Sequence, residues 1–127
     1  MRKKLLTTKL KEALAQHPLG STTGNLRNAL CIAVFCVGPI RWYVFEGSEC
    51  GTKDYLLSVI VTNWIEDEVG MVSIQELQDL TTNPMIYLLS RPYNNGLMQA
   101  MPLPDFKPCQ MKDIKGDSRL TRLLKNI

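Results

Sequence analysis

The chain has 127 residues, of which 45% are hydrophobic and 21% charged, with a formal net charge of +3. That is enough apolar material for one core and too little length for two, so a single domain over residues 1–127 is expected, and wholesale disorder is excluded because burial can offset the entropy of ordering. The longest uncharged apolar run, ALCIAVFCVGPI, is short of the roughly 18–20 residues that span a bilayer, and the basic start MRKKLL leads into TTKLKEALAQH rather than an apolar stretch of secretory length; the expectation is a soluble, cytoplasmic protein with no membrane contact.

In chain order, Leu6, Leu10, Ala13 and Leu14 recur at helical spacing, with Thr7 or Thr8 as the cap, and His17-Pro18 stops the helix. LGSTTGN reads as a link. Residues 29–37, ALCIAVFCV, are apolar on both faces and predict one central strand. GP marks a reversal, and IRWYVFE is the next strand. In it Trp42 and Tyr43 face opposite ways; Trp42 is assigned to the core and Tyr43 to an edge or a partner. DYLLSVIVTN alternates, with Tyr55, Leu57, Val59 and Val61 on one face and Asp54, Ser58 and Thr62 giving a wetter side.

A short strand MVS then leads into SIQELQDL, where Ser73 and Glu76 form a capping box and Val72 and Leu77 hold the hydrophobic-staple positions. The segment from Thr81 to Pro84 ends that helix. MIYLL predicts a strand, RPYNNG a turn, LMQAM an antiparallel return, and residues 102–108 extended coil. Asp117 or Ser118 caps a last helix in which Leu120, Leu123, Leu124 and Ile127 share a face. The sum is an α+β fold: a mostly antiparallel sheet of about five strands with an N-terminal helix, a short middle helix and a C-terminal helix.

Cysteine and histidine usage argues against a metal centre. Cys31 and Cys36 are an odd number of residues apart, so in one strand they point to opposite faces. No C-x-x-C spacing exists and His17 is the single histidine. Reduced thiols and no metal or other cofactor are therefore expected. Phosphate loops, dinucleotide fingerprints, calcium-loop spacing, helix-turn-helix, finger and RNP-like patterns are likewise missing.

The loop within WYVFEGSECGTKDYLL concentrates Glu46, Glu49, Cys50 and Asp54. A catalytic Cys50 needs a positive neighbour or an imidazole base, and only His17 could serve; Glu46 and Glu49 could act as paired carboxylates only at a fixed separation. The reading adopted is a hairpin turn with solvated carboxylates and no catalytic residue. Charge is segregated more sharply: residues 1–41 carry +6, residues 42–80 carry −7 and residues 81–127 carry +4. Basic terminal helices against an acidic sheet account for this pattern, and the run Glu66, Asp67, Glu68 beside Trp64 offers a face for a basic protein partner.

The residues LLTTKLKEAL, WYVFEG, DYLLSVIV and EDEVGMVSIQELQDL resemble a small bacterial family of unknown function encoded on plasmids, conjugative elements and phages. The resemblance lies in the LLT of Leu5 to Thr7, the W-Y-x-x-E-G of Trp42 to Gly47, the glycine Gly70 and the S-x-x-E-L of Ser73 to Leu77, and it covers roughly the first 80 residues. It implies a cytoplasmic accessory protein of a mobile element and transfers no catalytic residue. The sequence thus predicts a small non-enzymatic binding protein that touches a protein partner through Trp64, Glu66, Asp67 and Glu68, with counter-defence as a role. One alternative is a Cys50-dependent enzyme; another is nucleic-acid binding through Arg2, Lys3, Lys4, Arg119, Arg122 and Lys125.

Overall fold

A computed structural model describes residues 5–51, 53–64, 66–82 and 100–127. Helix α1 spans Thr8–Gln16, and the Thr7 hydroxyl caps it by accepting from the Leu10 N–H at 3.1 Å. Strands β1 (Leu30–Cys31), β2 (Ala33–Val37), β3 (Ile40–Glu49), β4 (Tyr55–Thr62) and β5 (Glu68–Ser73) follow, then helix α2 (Ile74–Gln78). The described remainder adds β6 (Met101–Pro102), β7 (Cys109–Gln110) and helix α3 (Ser118–Lys125). Among the described residues the main sheet is antiparallel and has five strands in the order β5-β4-β3-β2-β6; β1 and β7 form a separate two-stranded ladder. The α+β architecture, with three α-helices among the described residues, is therefore observed.

Local chemistry explains most boundaries. Gly38 at φ 54° and Pro39 make the two-residue hairpin between β2 and β3, with glycine supplying the positive φ. At the other end of β3, Gly51 and Lys53 take φ of 64° and 61°, and the Cys50 N–H donates to the Asp54 carbonyl at 3.0 Å, so the acidic loop does turn a hairpin. The capping box of α2 is complete: the Ser73 hydroxyl accepts from the Glu76 N–H, and the Glu76 carboxylate accepts from the Ser73 N–H, each at 3.0 Å. Asp54 adds to this helix start by accepting from the Gln75 N–H at 3.1 Å.

The sheet is covered on both faces. On one, Ile40, Trp42, Val44, Leu57 and Val59 meet Leu10 and Leu14 of α1 and Ile74 and Leu77 of α2. On the other, Tyr43, Phe45 and Ile60 meet Cys31, Met111 and Leu120 and Leu124 of α3. A bulge in β3 connects the two. Val44 pairs with Val59 and Glu46 with Ser58, so Phe45 is an extra residue that resets the alternation. Glu46 is thereby turned to the second face and Gly47 is brought beneath α1.

Several expectations are corrected. The predicted strand over residues 29–37 is broken at Ile32, because β1 leaves the main sheet to pair with β7. The strand ending at Glu46 continues to Glu49, and the strand begun at Met71 starts at Glu68. The wetter side of β4 is dry: Thr62 is fully buried and Ser58 nearly so, since the C-terminal segment and Glu46 cover that face. Tyr43, assigned to an edge or partner, lies in the second core. Ile127 is exposed because α3 ends at Lys125. The predicted strand at residues 85–89 and turn at 91–96 lie outside the described residues; of LMQAM, Met101 belongs to β6.

Gly47 sets a packing constraint. A Cβ there would stand 2.8 Å from Cδ2 of both Leu14 and Leu57 and 3.1 Å from the Leu56 carbonyl oxygen. Both leucines are buried in the first core, so any shift they make is passed to closely packed neighbours. Gly47→Ala is expected to destabilise the fold by about 1–3 kcal/mol, read as a lower midpoint in urea unfolding; an unchanged midpoint would refute close packing of α1 on β3.

Candidate partner-binding face

The face begins where β4 gives way to β5. Asn63 takes φ 67°, and its N–H donates to the Asp67 carboxylate at 3.0 Å, which closes the turn after Thr62. The turn brings Trp64 back against the sheet, where its ring meets Trp42 edge-on with centroids 6.1 Å apart and planes at 68°. Trp64 packs on the first core, and its indole N–H is buried with no hydrogen-bond partner among the described residues.

Asp67 is held on both sides. Besides closing the turn it receives the Arg119 Nε at 2.8 Å, the contact by which α3 reaches the acidic loop. Glu66 and Glu68 are exposed, and among the described residues neither forms an ion pair. Glu68, Gly70 and Val72 stand opposite Val61, Val59 and Leu57, so they share the first-core face, while Val69 and Met71 point the other way and are 43% and 56% exposed. Among the described residues β5 is an edge of the sheet, so alternate backbone N–H and C=O groups along it face outward from that sheet.

Between these elements lies an open cleft of about 380 Å³, lined by Trp42, Trp64, Glu66, Glu68, Gly70 and Glu76 among others. Nothing stands within 4 Å of where a Cβ on Gly70 would be, so the glycine leaves the floor open. Trp64, Glu66 and Glu68 thus come together on the cleft, Asp67 braces its rim, and Glu76, fixed by the capping box, joins it although the sequence reading assigned Glu76 only a capping role.

The other candidates have structural occupations. Glu46, read from the sequence as solvated, is 6% exposed. Its carboxylate accepts from the Gly20 N–H at 3.0 Å, the Thr22 N–H at 2.8 Å and the Ser58 hydroxyl at 3.0 Å, tying residues 20–22 to β3. Burial alone would raise its pKa, but the hydrogen bonds from Gly20, Thr22 and Ser58 hold it below the usual carboxylate range. Glu49 stays exposed and accepts from the Tyr55 hydroxyl at 3.3 Å.

Cys50 is exposed in the hairpin turn. His17 meets β3 earlier, its carbonyl accepting from the Gly47 N–H at 3.0 Å; three extended residues beyond that point amount to about 10 Å. Among the described residues no group of three or more His, Cys, Asp or Glu side chains is arranged to hold a metal ion, and no helix is long and apolar enough to cross a membrane.

A larger cleft of about 660 Å³ is lined by Arg41, Tyr43, Lys107, Cys109 and Asp117 among others. Its central polar groups are already engaged. Asp117 accepts from the Tyr43 hydroxyl at 2.7 Å and the Thr62 hydroxyl at 2.6 Å, and its second oxygen accepts from the Arg119 and Leu120 N–H groups that open α3. Burial opposes ionisation of Asp117, yet the bonds from Thr62, Tyr43, Leu120 and Arg119 hold its pKa below the ordinary value. Burial, reinforced by that carboxylate, drives the Tyr43 phenol well above its own.

Comparison with protein-family models, with curated proteins and with solved structures finds no match to the chain.

The Glu46 network is open to a pH test. A folded-state pKa below the unfolded one means that the stabilisation is fully present above the unfolded value and is lost as pH falls through the folded value. Glu46→Gln should therefore be less stable than the parent by about 1–2 kcal/mol near pH 7, and the difference should shrink in denaturant melts near pH 3. A difference independent of pH would show that the charge on Glu46 contributes nothing.

Proposed function

We propose that the chain is a small non-enzymatic binding protein that works by contact with a protein partner, through the face carrying Trp64, Glu66, Asp67 and Glu68. The observation that carries this reading is the cleft in which two indoles meet the carboxylates of Glu66, Glu68 and Glu76 beside β5, the strand that ends the sheet among the described residues. A lysine or arginine side chain entering it would lie against the Trp64 ring and near Glu66 and Glu68, which form no ion pair among the described residues, a cation–π and ion-pair combination. The strand edge offers main-chain hydrogen bonds to an extended segment, and exposed Val69 and Met71 offer apolar contact on its other face. Asp67 supports the face by anchoring Arg119.

The same proposal places the protein in the bacterial cytoplasm as an accessory of a mobile element with a counter-defence role, on the strength of the sequence resemblance. The alternatives draw less support. Cys50 has an exposed turn around it and no imidazole bonded to it among the described residues. Of the basic residues proposed for nucleic acid, Arg119 is committed to Asp67, and Arg2, Lys3 and Lys4 lie outside the described residues.

The test compares the parent with a Glu66→Lys, Glu68→Lys double variant, leaving Asp67 in place to preserve its structural contacts. Partners captured by the parent should be retained on the order of tenfold less by the variant, with circular dichroism and melting temperature unchanged because both glutamates are exposed. Equal capture by a folded variant would rule this face out.

A further inference from the structure

The register of the β1–β7 ladder sets two thiols opposite one another. Cys31 pairs with Cys109, and both are free. One step outside the ladder, the Met111 N–H donates to the Ala29 carbonyl at 2.9 Å, which marks residues 29 and 111 as a hydrogen-bonded pair. Two residues along each strand, Cys31 and Cys109 occupy the same kind of position, where antiparallel Cα atoms stand about 5.5 Å apart. Disulfides span Cα separations of about 4.4–6.8 Å and most often about 5.5–6 Å.

Directly opposed residues project to the same side of a ladder, with Cβ atoms about 4.5–5.5 Å apart. A bridge needs about 3.8 Å. The required approach, about 1 Å, falls at the end of a ladder only two residues long per strand, where the break at Ile32 on one strand meets the coil before Cys109 on the other. A short ladder ending in irregular chain can make that adjustment where the long β3–β4 pair could not.

We propose that Cys31 and Cys109 are a redox-responsive pair that closes to an intramolecular disulfide when a small-molecule disulfide is the oxidant, covalently fastening the C-terminal segment to β1. Cys109 is the half-buried member and lines the open 660 Å³ cleft, so it meets the oxidant first. Its thiolate attacks one oxidant sulfur, forming a mixed disulfide and releasing the other half as a thiol. Cys31 then gives up its proton and its weak bond to the Ala33 carbonyl, 3.3 Å away. Its sulfur attacks that of Cys109 and expels the second half. Two protein thiols are oxidised and one disulfide is reduced to two thiols.

Burial pushes the Cys31 thiol up to about 12 and raises the Cys109 thiol as well, so accessibility makes Cys109 the first to exchange, and Cys31 follows because the mixed disulfide then stands directly opposite it. Cys36 stands opposite Arg41 on one side and Met101 on the other, and Cys50 sits in the β3–β4 turn, so neither faces another cysteine in the strand registers. The proposal is independent of the partner-binding reading, since the pair lies in the β1–β7 ladder and away from β5.

The experiment treats the folded, reduced chain with glutathione disulfide, then blocks remaining thiols and records intact mass and a non-reduced peptide map. The expected product links the peptides of Cys31 and Cys109 with the loss of two hydrogens from that pair, while Cys36 and the exposed Cys50 are recovered as blocked thiols or as simple glutathione adducts outside the bridge. Cys31→Ser should instead retain a glutathione adduct on Cys109, because the resolving thiol is gone. Recovery of both Cys31 and Cys109 as blocked thiols, or a bridge to Cys36 or Cys50, would overturn the proposal, and because the first measurement uses the parent chain it does not depend on a variant folding.

Discussion

Strands β3 and β4 are covered on both faces, by α1 and α2 on one and by the C-terminal segment on the other, and polar side chains between these layers must be satisfied by protein. Two carboxylates meet that requirement. Asp117 collects the hydroxyls of Tyr43 and Thr62 from two neighbouring strands while capping α3, so one side chain joins the second layer to the sheet and starts the helix that completes it. Glu46 binds Ser58 across the sheet and the N–H groups of Gly20 and Thr22, fixing the chain that descends from α1. Both have depressed pKa values because they are hydrogen-bonded as anions.

The bulge at Phe45 decides which side chains can do this. Strict alternation would put Glu46 on the same face as Trp42 and Val44, inside the first core, where a carboxylate without donors would cost several kcal/mol or take up a proton. One added residue in β3 turns Glu46 to Ser58 and brings Gly47 under Leu14 of α1. The Glu46-Gly47 dipeptide is therefore a matched pair: the acid needs the second face, and the absent side chain allows the helix to approach.

The candidate face owes its form to what the sheet leaves uncovered. Among the described residues β5 is an edge strand, and Val69 and Met71 remain exposed on it. Gly70 leaves open the floor of a cleft walled by the Trp42–Trp64 pair, and the two exposed glutamates of the acidic run stand at its rim. Asp67, in the middle of that run, has a separate task, because its bonds to Asn63 and Arg119 hold the turn and dock α3. Three adjacent acidic residues thus divide between structure and solvent according to the direction in which the turn points each of them.

Local signals were legible in the sequence. The Ser73–Glu76 box was identified outright, and Thr7 and Asp117 were each one of two adjacent candidates beside Thr8 and Ser118, because each cap depends on groups within three residues of itself. The opposite facing of Trp42 and Tyr43 followed from strand periodicity. Only tertiary structure could decide that Ser58 and Thr62 are dry, that Glu46 is enclosed, that Glu76 shares a cleft with Trp64, and that Cys31 faces Cys109. Each of these depends on chain segments distant in sequence, and the bulge at Phe45 changes the register on which any extrapolation from alternation would rely. Short-range hydrogen bonds leave a record in residue spacing; burial from a second layer leaves none until the layers have packed.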